Sequence, residues 1–225
     1  MGQSLATVSR GLLLILWGCT VLWSVVAGRL ELLLNSVFHS LVAGSGVALL
    51  ITGAALIIRP GRRQERKLPW PLFASGTMAA LVVLIPPNPS FSDLASNRPQ
   101  GLPEPPELAF VLPPEQRTLT EWVRLLRSQA DPELVAGNPV NISGFVWKQP
   151  KGQPLIARLT VRCCLADATP AGLAVAWPED ADPITNQWLA IKGHMAIENR
   201  NGQPRAVVIP QTITPIDRPL RPLEP

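Results

Sequence analysis

The sequence predicts a membrane-anchored protein in two parts: about three transmembrane helices in residues 1–87, and a small all-β, OB-like barrel with one flanking helix in the rest. Three observations predict it. Three long runs without a charged residue crowd the first 87 positions, a proline-rich stretch follows, and beyond it the hydrophobic pattern shortens to strand-like runs.

The uncharged runs are 11–27 (17 residues), 41–58 (18 residues) and 70–87 (18 residues). A helix rises about 1.5 Å per residue, so roughly 17–25 apolar residues cross the hydrocarbon core. The first two runs meet this. The third, a span over about 70–86, is marginal because it closes on Pro86 and Pro87. The first run also fits a signal peptide, with Arg10 ahead of it and Val25-Val26-Ala27 behind. Its length, and a second span soon after, favour an uncleaved helix. Gly44, Ser45, Gly46 and Gly53 in the second run suit close helix approach in lipid. His39, at the outer edge of that run, reads as an interfacial histidine or as part of a polar pathway.

Charge sets the expected orientation. Residues 1–87 hold seven Lys/Arg and two acids, a net +5; residues 88–225 hold thirteen and fourteen, a net −1. Five of the basic residues lie in 59–67, a short loop of the kind that stays cytoplasmic. The N-terminus is then inside and everything after about Pro87 outside. Trp23 and Trp70 fall near span ends, where indoles favour the interface. The C-terminal part lacks the positive field that nucleic acid requires.

Nine prolines between Pro86 and Arg117 predict an extended spacer over 88–117. A capping box, Thr118 with Glu121, then opens an amphipathic helix over 119–129, with Leu119, Trp122, Leu125 and Leu126 on one face. Five β-prone runs follow, completing a domain over 118–214. In the second, Ile156, Leu159, Val161 and Cys163 alternate with Arg158, Thr160 and Arg162. That pattern predicts a strand with one buried face and the arginines on a solvated one. Gly144 and Gly193 suit bends, and Asn201-Gly202 is a hairpin signal. Four prolines after Ile213 predict a disordered tail over 215–225.

Three cysteines are too few for a disulfide scaffold. Cys19 lies within the first apolar run. Cys163 and Cys164 are adjacent, with Asp167 close by, and three readings stand. Cys163 can be core, with Cys164 at a strand end. The two thiols and Asp167 can bind a zinc-like metal, with His194 as a fourth ligand, provided the strand ends or bulges there. Or the pair can form a strained vicinal disulfide. No phosphate-binding glycine loop, HExxH or GxSxG motif is present, and with two histidines and no tyrosine the chain reads as a non-enzyme.

The segments SGFVWKQPKGQPLIARLTVRCCLADATPAGLAVAWP and WLAIKGHMAIENRNGQPRAVV resemble a family of bacterial two-component permease subunits. Gly144-Phe145-Val146, Arg158, Arg162-Cys163-Cys164, Ala166-Asp167-Ala168, Pro170, Gly172-Leu173 and Trp188 to Gly193 carry the likeness, which covers about 140–213. The resemblance implies an inner-membrane anchor with a C-terminal domain of unknown function outside, and a larger, multi-span permease as partner. On it rests the expectation of an accessory subunit of a transport complex. The alternatives are a metal- or redox-handling domain and a generic envelope ligand-binding module.

Overall fold

The computed structural model describes residues 2–58, 70–85, 88–98, 112–128, 131–149, 152–179, 181–200 and 203–224. The basic run 59–67 and the Asn201-Gly202 turn lie outside them. The chain divides into two compact units, 1–88 and 89–225.

The first unit holds three helices, α1 (Gly2–Val26), α2 (His39–Ile58) and α3 (Trp70–Leu84). α1 packs along α2 through backbone contact. A Cβ added to Gly53 would lie 2.7 Å from the Gly11 carbonyl oxygen, and one on Gly18 would lie 2.9 Å from that of Gly46. Gly46 and Gly53 thus serve helix approach as expected, whereas Gly44 faces open space. α3 lies against α1, where the Trp17 indole donates to Ser75 Oγ at 2.9 Å. His39 sits at the α1–α2 connection, its Nδ1 3.8 Å from Glu31 Oε1 and its Nε2 3.3 Å from the Leu34 carbonyl.

Two helices, Thr7–Val26 and Ser36–Ile58, are long and apolar enough to cross a membrane. The third apolar run, marginal in the sequence, forms a shorter helix. α3 has 15 residues, roughly 22 Å at 1.5 Å per residue against a core of ~30 Å. Prolines at 69, 71 and 86 bound it at both ends.

In the second unit, β1 (Pro139–Trp147), β2 (Leu155–Thr160), β3 (Thr169–Ala174), β4 (Trp188–Arg200) and β5 (Gln203–Pro215) form an antiparallel sheet in the order β3-β2-β1-β4-β5. Just past β3, Val175 bridges to Val208 of β5, and among the described residues no ladder joins the two end strands. The expected OB-like barrel is therefore an open sheet. Pro204, Pro210 and Pro215 thin the donor row of β5 and suit it to an edge. Between Lys192 and Gly193 the β4–β5 register shifts. A side chain at Gly193 would collide with the Ile209 carbonyl, so only glycine allows the strands to close there.

The flanking helix α5 (Leu119–Ser128) forms as the capping box predicts. The Thr118 amide donates to Glu121 Oε2 at 2.6 Å, and the Glu121 amide donates to Thr118 Oγ1 at 3.3 Å. Its buried Leu119, Trp122 and Val123 join Val140, Ile142, Ile156, Leu173, Ile191, Met195 and Val208 in one core.

Three expectations fail here. First, the strand carrying Arg158 has no solvated face: all of β2 is buried, and Arg158 is 6% exposed. The guanidinium is satisfied internally. Nε donates to the Ser143 carbonyl at 2.8 Å, one terminal nitrogen to Ser143 Oγ at 2.7 Å, and the other to the Pro222 carbonyl at 3.2 Å. It lies 4.8 Å from the Trp188 ring centre and 3.4 Å from Glu224 Oε1. Burial works against its charge, and Glu224 acts in the opposite sense.

Second, the tail after 215 is ordered in part. It returns as β6 (Leu223–Glu224), parallel to β2, and the Val161 amide donates to the Glu224 carbonyl at 2.9 Å. Proline content removes donors but leaves carbonyls, and Arg158 uses those of Arg221 and Pro222.

Third, the spacer is interrupted by α4 (Phe91–Ser96), capped by Ser90 and part of the second unit. Phe91 is 3% exposed, with ring centres 5.6 Å from Phe145 and 5.4 Å from Trp188. Asn186, at φ 67°, accepts from the Ser92 amide at 2.7 Å and donates to Ser90 Oγ at 2.7 Å. The Trp147 indole donates to Ser96 Oγ. The spacer's prolines cluster at 99–106 and 113–114, leaving 90–98 free to fold.

Two outcomes follow from this packing. Glu224→Ala strips the buried Arg158 of its counter-ion, a change that costs about 3–5 kcal/mol when one partner of such a pair is removed. Thermal melting of the intact protein should register that loss, and an unchanged melt would refute the clamp. A fragment starting at Pro89 should melt above one starting at Thr118, because only the first buries Phe91. Equal melting temperatures would show that α4 is a passive connector.

Candidate functional site

β2 ends at Thr160, and Arg162 and Cys163 lie in a bend beyond it. A single 3-10 turn, Leu165–Asp167, follows with Cys164 at its N-cap, where φ is −155° and ψ 172°. The turn folds Asp167 back over the preceding backbone. Asp167 Oδ1 accepts from the Arg162 amide at 3.0 Å, and Oδ2 accepts from the Cys163 amide at 2.9 Å. The Cys164 amide is at 3.4 Å. A carboxylate three residues after an N-cap reaches back to free amides in this way.

The same carboxylate meets the thiols. Cys163 Sγ donates to Asp167 Oδ2 at 2.8 Å and lies 3.6 Å from Cys164 Sγ. Both cysteines are free thiols. The reading that buries Cys163 in the core is corrected: Cys163 is exposed and Cys164 partly buried. Strand alternation stops at Thr160, so it no longer governs where either side chain points. The condition set for joint action of the thiols, a strand that ends before them, is met. His194 is not part of the cluster formed by Cys163, Cys164 and Asp167; it lies on β4, opposite Pro139 and Ile209.

The hydrogen bond to Asp167, followed by that to Cys164, pushes the Cys163 thiol up to about 11. Burial works to raise the Asp167 carboxyl. The bonds it accepts from Cys163 Sγ and from the amides of Cys163, Arg162 and Cys164 outweigh this and hold it below the usual range.

One residue of the site carries no signal in the sequence. Arg98, just before the proline cluster, donates to the Ala166 carbonyl, and to that of Leu165 at 3.2 Å. It braces the turn from 67 positions away. Away from the thiols, an open cleft of about 350 Å³ lined by Gln149, Gln153, Glu198 and Arg205 among others lies toward the far end of the β4–β5 hairpin.

Set against known families, the C-terminal part of the chain has a counterpart. Residues 119–222 match the DUF1980 C-terminal domain. The match runs from the first residue of α5 to Pro222 and includes the paired cysteines, Asp167 and Arg158. The DUF1980 domain is one of unknown function. α4, Arg98 and Glu224 lie outside the matched range, as do the three N-terminal helices. No curated protein and no solved structure matches the chain.

The bond between Cys163 and Asp167 makes a chemical prediction. At pH 8 a thiol titrating near 11 holds roughly two orders of magnitude less thiolate than an ordinary cysteine near 8.5. Alkylation of Cys163, followed by peptide mass spectrometry, should be correspondingly slow. Asp167→Asn removes the charge that raises the thiol, so the pH midpoint of alkylation should move down. A midpoint unmoved by that change would show that the carboxylate does not control the sulfur.

Proposed function

We propose that the chain is a membrane-anchored accessory subunit of a transport complex, with its DUF1980 domain held outside the cytoplasm. The observation that carries this reading is the pairing of two helices of spanning length with a separate β-domain in one chain. The likeness of 140–213 to two-component permease subunits supplies the class of partner, a larger multi-span permease. Lipid is the second partner.

Orientation rests on charge and on α3. The basic residues of 59–67 favour the cytoplasm. At the other end of α3, Arg29 donates to the Val82 carbonyl at 2.6 Å and to that of Val83 at 2.8 Å. The last carbonyls of a helix lack partners within it and are costly to leave open in lipid. Arg29 follows the C-terminal end of α1, so α3 finishes at the level where α1 finishes. With α1 running outward from Arg10, α3 runs outward too. Its shortness is met by local thinning of the bilayer or by snorkelling of flanking residues.

A reporter fused after Pro225 should read extracytoplasmic, and protease added to spheroplasts should reach the domain. A cytoplasmic signal would mean that α3 does not cross. Purification of the native complex in mild detergent should bring down a multi-span permease in stoichiometric amount. Its absence would leave the domain without the partner that the reading requires.

A further inference from the structure

We propose that Cys163 Sγ, Cys164 Sγ and the Asp167 carboxylate form an open, three-ligand site for a soft divalent cation of the zinc class. The inference goes beyond the accessory-subunit reading and does not need a permease. Ligand atoms of the three residues lie within 4.8 Å of one another. Two thiolates with one carboxylate favour zinc or cadmium over calcium or magnesium, which prefer oxygen alone.

The spacing fits tetrahedral coordination. Two sulfurs each ~2.3 Å from one ion sit ~3.8 Å apart at the tetrahedral angle; the two Sγ atoms are 3.6 Å apart. A sulfur and a carboxylate oxygen on the same ion sit ~3.6 Å apart, against 2.8 Å across the present Cys163–Asp167 hydrogen bond. That bond holds a proton between two ligand atoms. An ion that replaces it needs the pair to widen by less than an ångström, which rotation of exposed Cys163 supplies.

The backbone fixes the ligands before any ion arrives. Adjacent residues of a strand point to opposite faces, but β2 has ended, and the bend at Arg162–Cys163 turns both sulfurs to one side. Two amides orient Asp167, and Arg98 holds the carbonyls of Leu165 and Ala166. Such outer-shell bonds set the direction of first-shell ligands. The exposure of Cys163 leaves a fourth position for water or for a ligand from another molecule. Closed structural zinc sites have four protein ligands; three with an open position suit exchange. Binding releases a proton from each thiol as the ion takes its place.

The test uses the full-length chain in detergent under reducing conditions, in a Cys19→Ser background that leaves only the paired thiols. Cadmium and zinc are the probes. One equivalent of cadmium should bind and give a sulfur-to-metal charge-transfer band. Cys163→Ser and Cys164→Ser should each weaken binding at least tenfold, and zinc should compete at the same stoichiometry. Asp167→Asn should weaken binding while keeping both thiols. Circular dichroism melts confirm that the variants fold; Cys163→Ser, at an exposed position, serves if another does not. No bound metal, or binding that survives both cysteine substitutions, would overturn the site. So would a pair that stays oxidised, two daltons light, under these conditions. Loss of the site would leave co-purification with a permease unaffected, so the two readings fail separately.

Discussion

A buried guanidinium organises the β-domain. Arg158 sits in the middle of a strand with both faces covered, where an arginine must have its donors met or the fold is lost. Ser143 meets them from the neighbouring strand, and the chain terminus meets them from the other side through Pro222 and Glu224. Glu224 also stands 3.3 Å from the Thr120 amide at the start of α5, where the helix dipole favours a negative charge. One ion pair thus ties together β1, β2, the C-terminus and the flanking helix. A well-packed apolar group would stabilise the domain as well or better. Through the ion pair, segment 222–224 of the proline-rich tail is held against β2.

A comparable economy operates at the start of the domain. α4 is six residues long, too short to be stable alone. It is held by ring contacts of Phe91 with Phe145 and Trp188, by the Ser92 amide donating to Asn186 and by the Trp147 indole donating to Ser96. Arg98, two residues past its end, carries the same segment to the thiol-bearing turn. The chain just after the helical unit is thereby mechanically part of the proposed metal site.

The helical unit follows other rules. Close backbone approach at Gly11, Gly18, Gly46 and Gly53 lets α1 and α2 gain from dispersion along their contact. Polar contacts are few and local. Ser24, Thr20, Thr52 and Thr77 return their hydroxyls to carbonyls one turn back, which keeps them satisfied without a partner helix. Two contacts reach across to α3: the Trp17 indole bonds Ser75 Oγ, and Arg29 bonds the last carbonyls of the helix.

Local patterns by themselves determined much of this protein. The Thr118–Glu121 cap, the Leu119–Trp122 stripe, the two long apolar helices and the five main strands each depend on residues within a few positions of one another, and periodicity and capping chemistry report such neighbours directly. The thiols and Asp167 were legible as a group for the same reason, being within five positions. Contacts between distant positions decided the rest. Alternation alone assigns Arg158 to solvent; only its partners at Ser143 and Glu224 make its burial affordable. The direction of Cys163 turned on where β2 stops, and β2 stops where its pairing with β3 ends, at Thr160 opposite Thr169. Whether the sheet closed depended on how β3 and β5 approach across the core, and Arg98 found its carbonyls 67 positions away. Pairings over such separations leave no period in a sequence, and so only the tertiary structure could settle them.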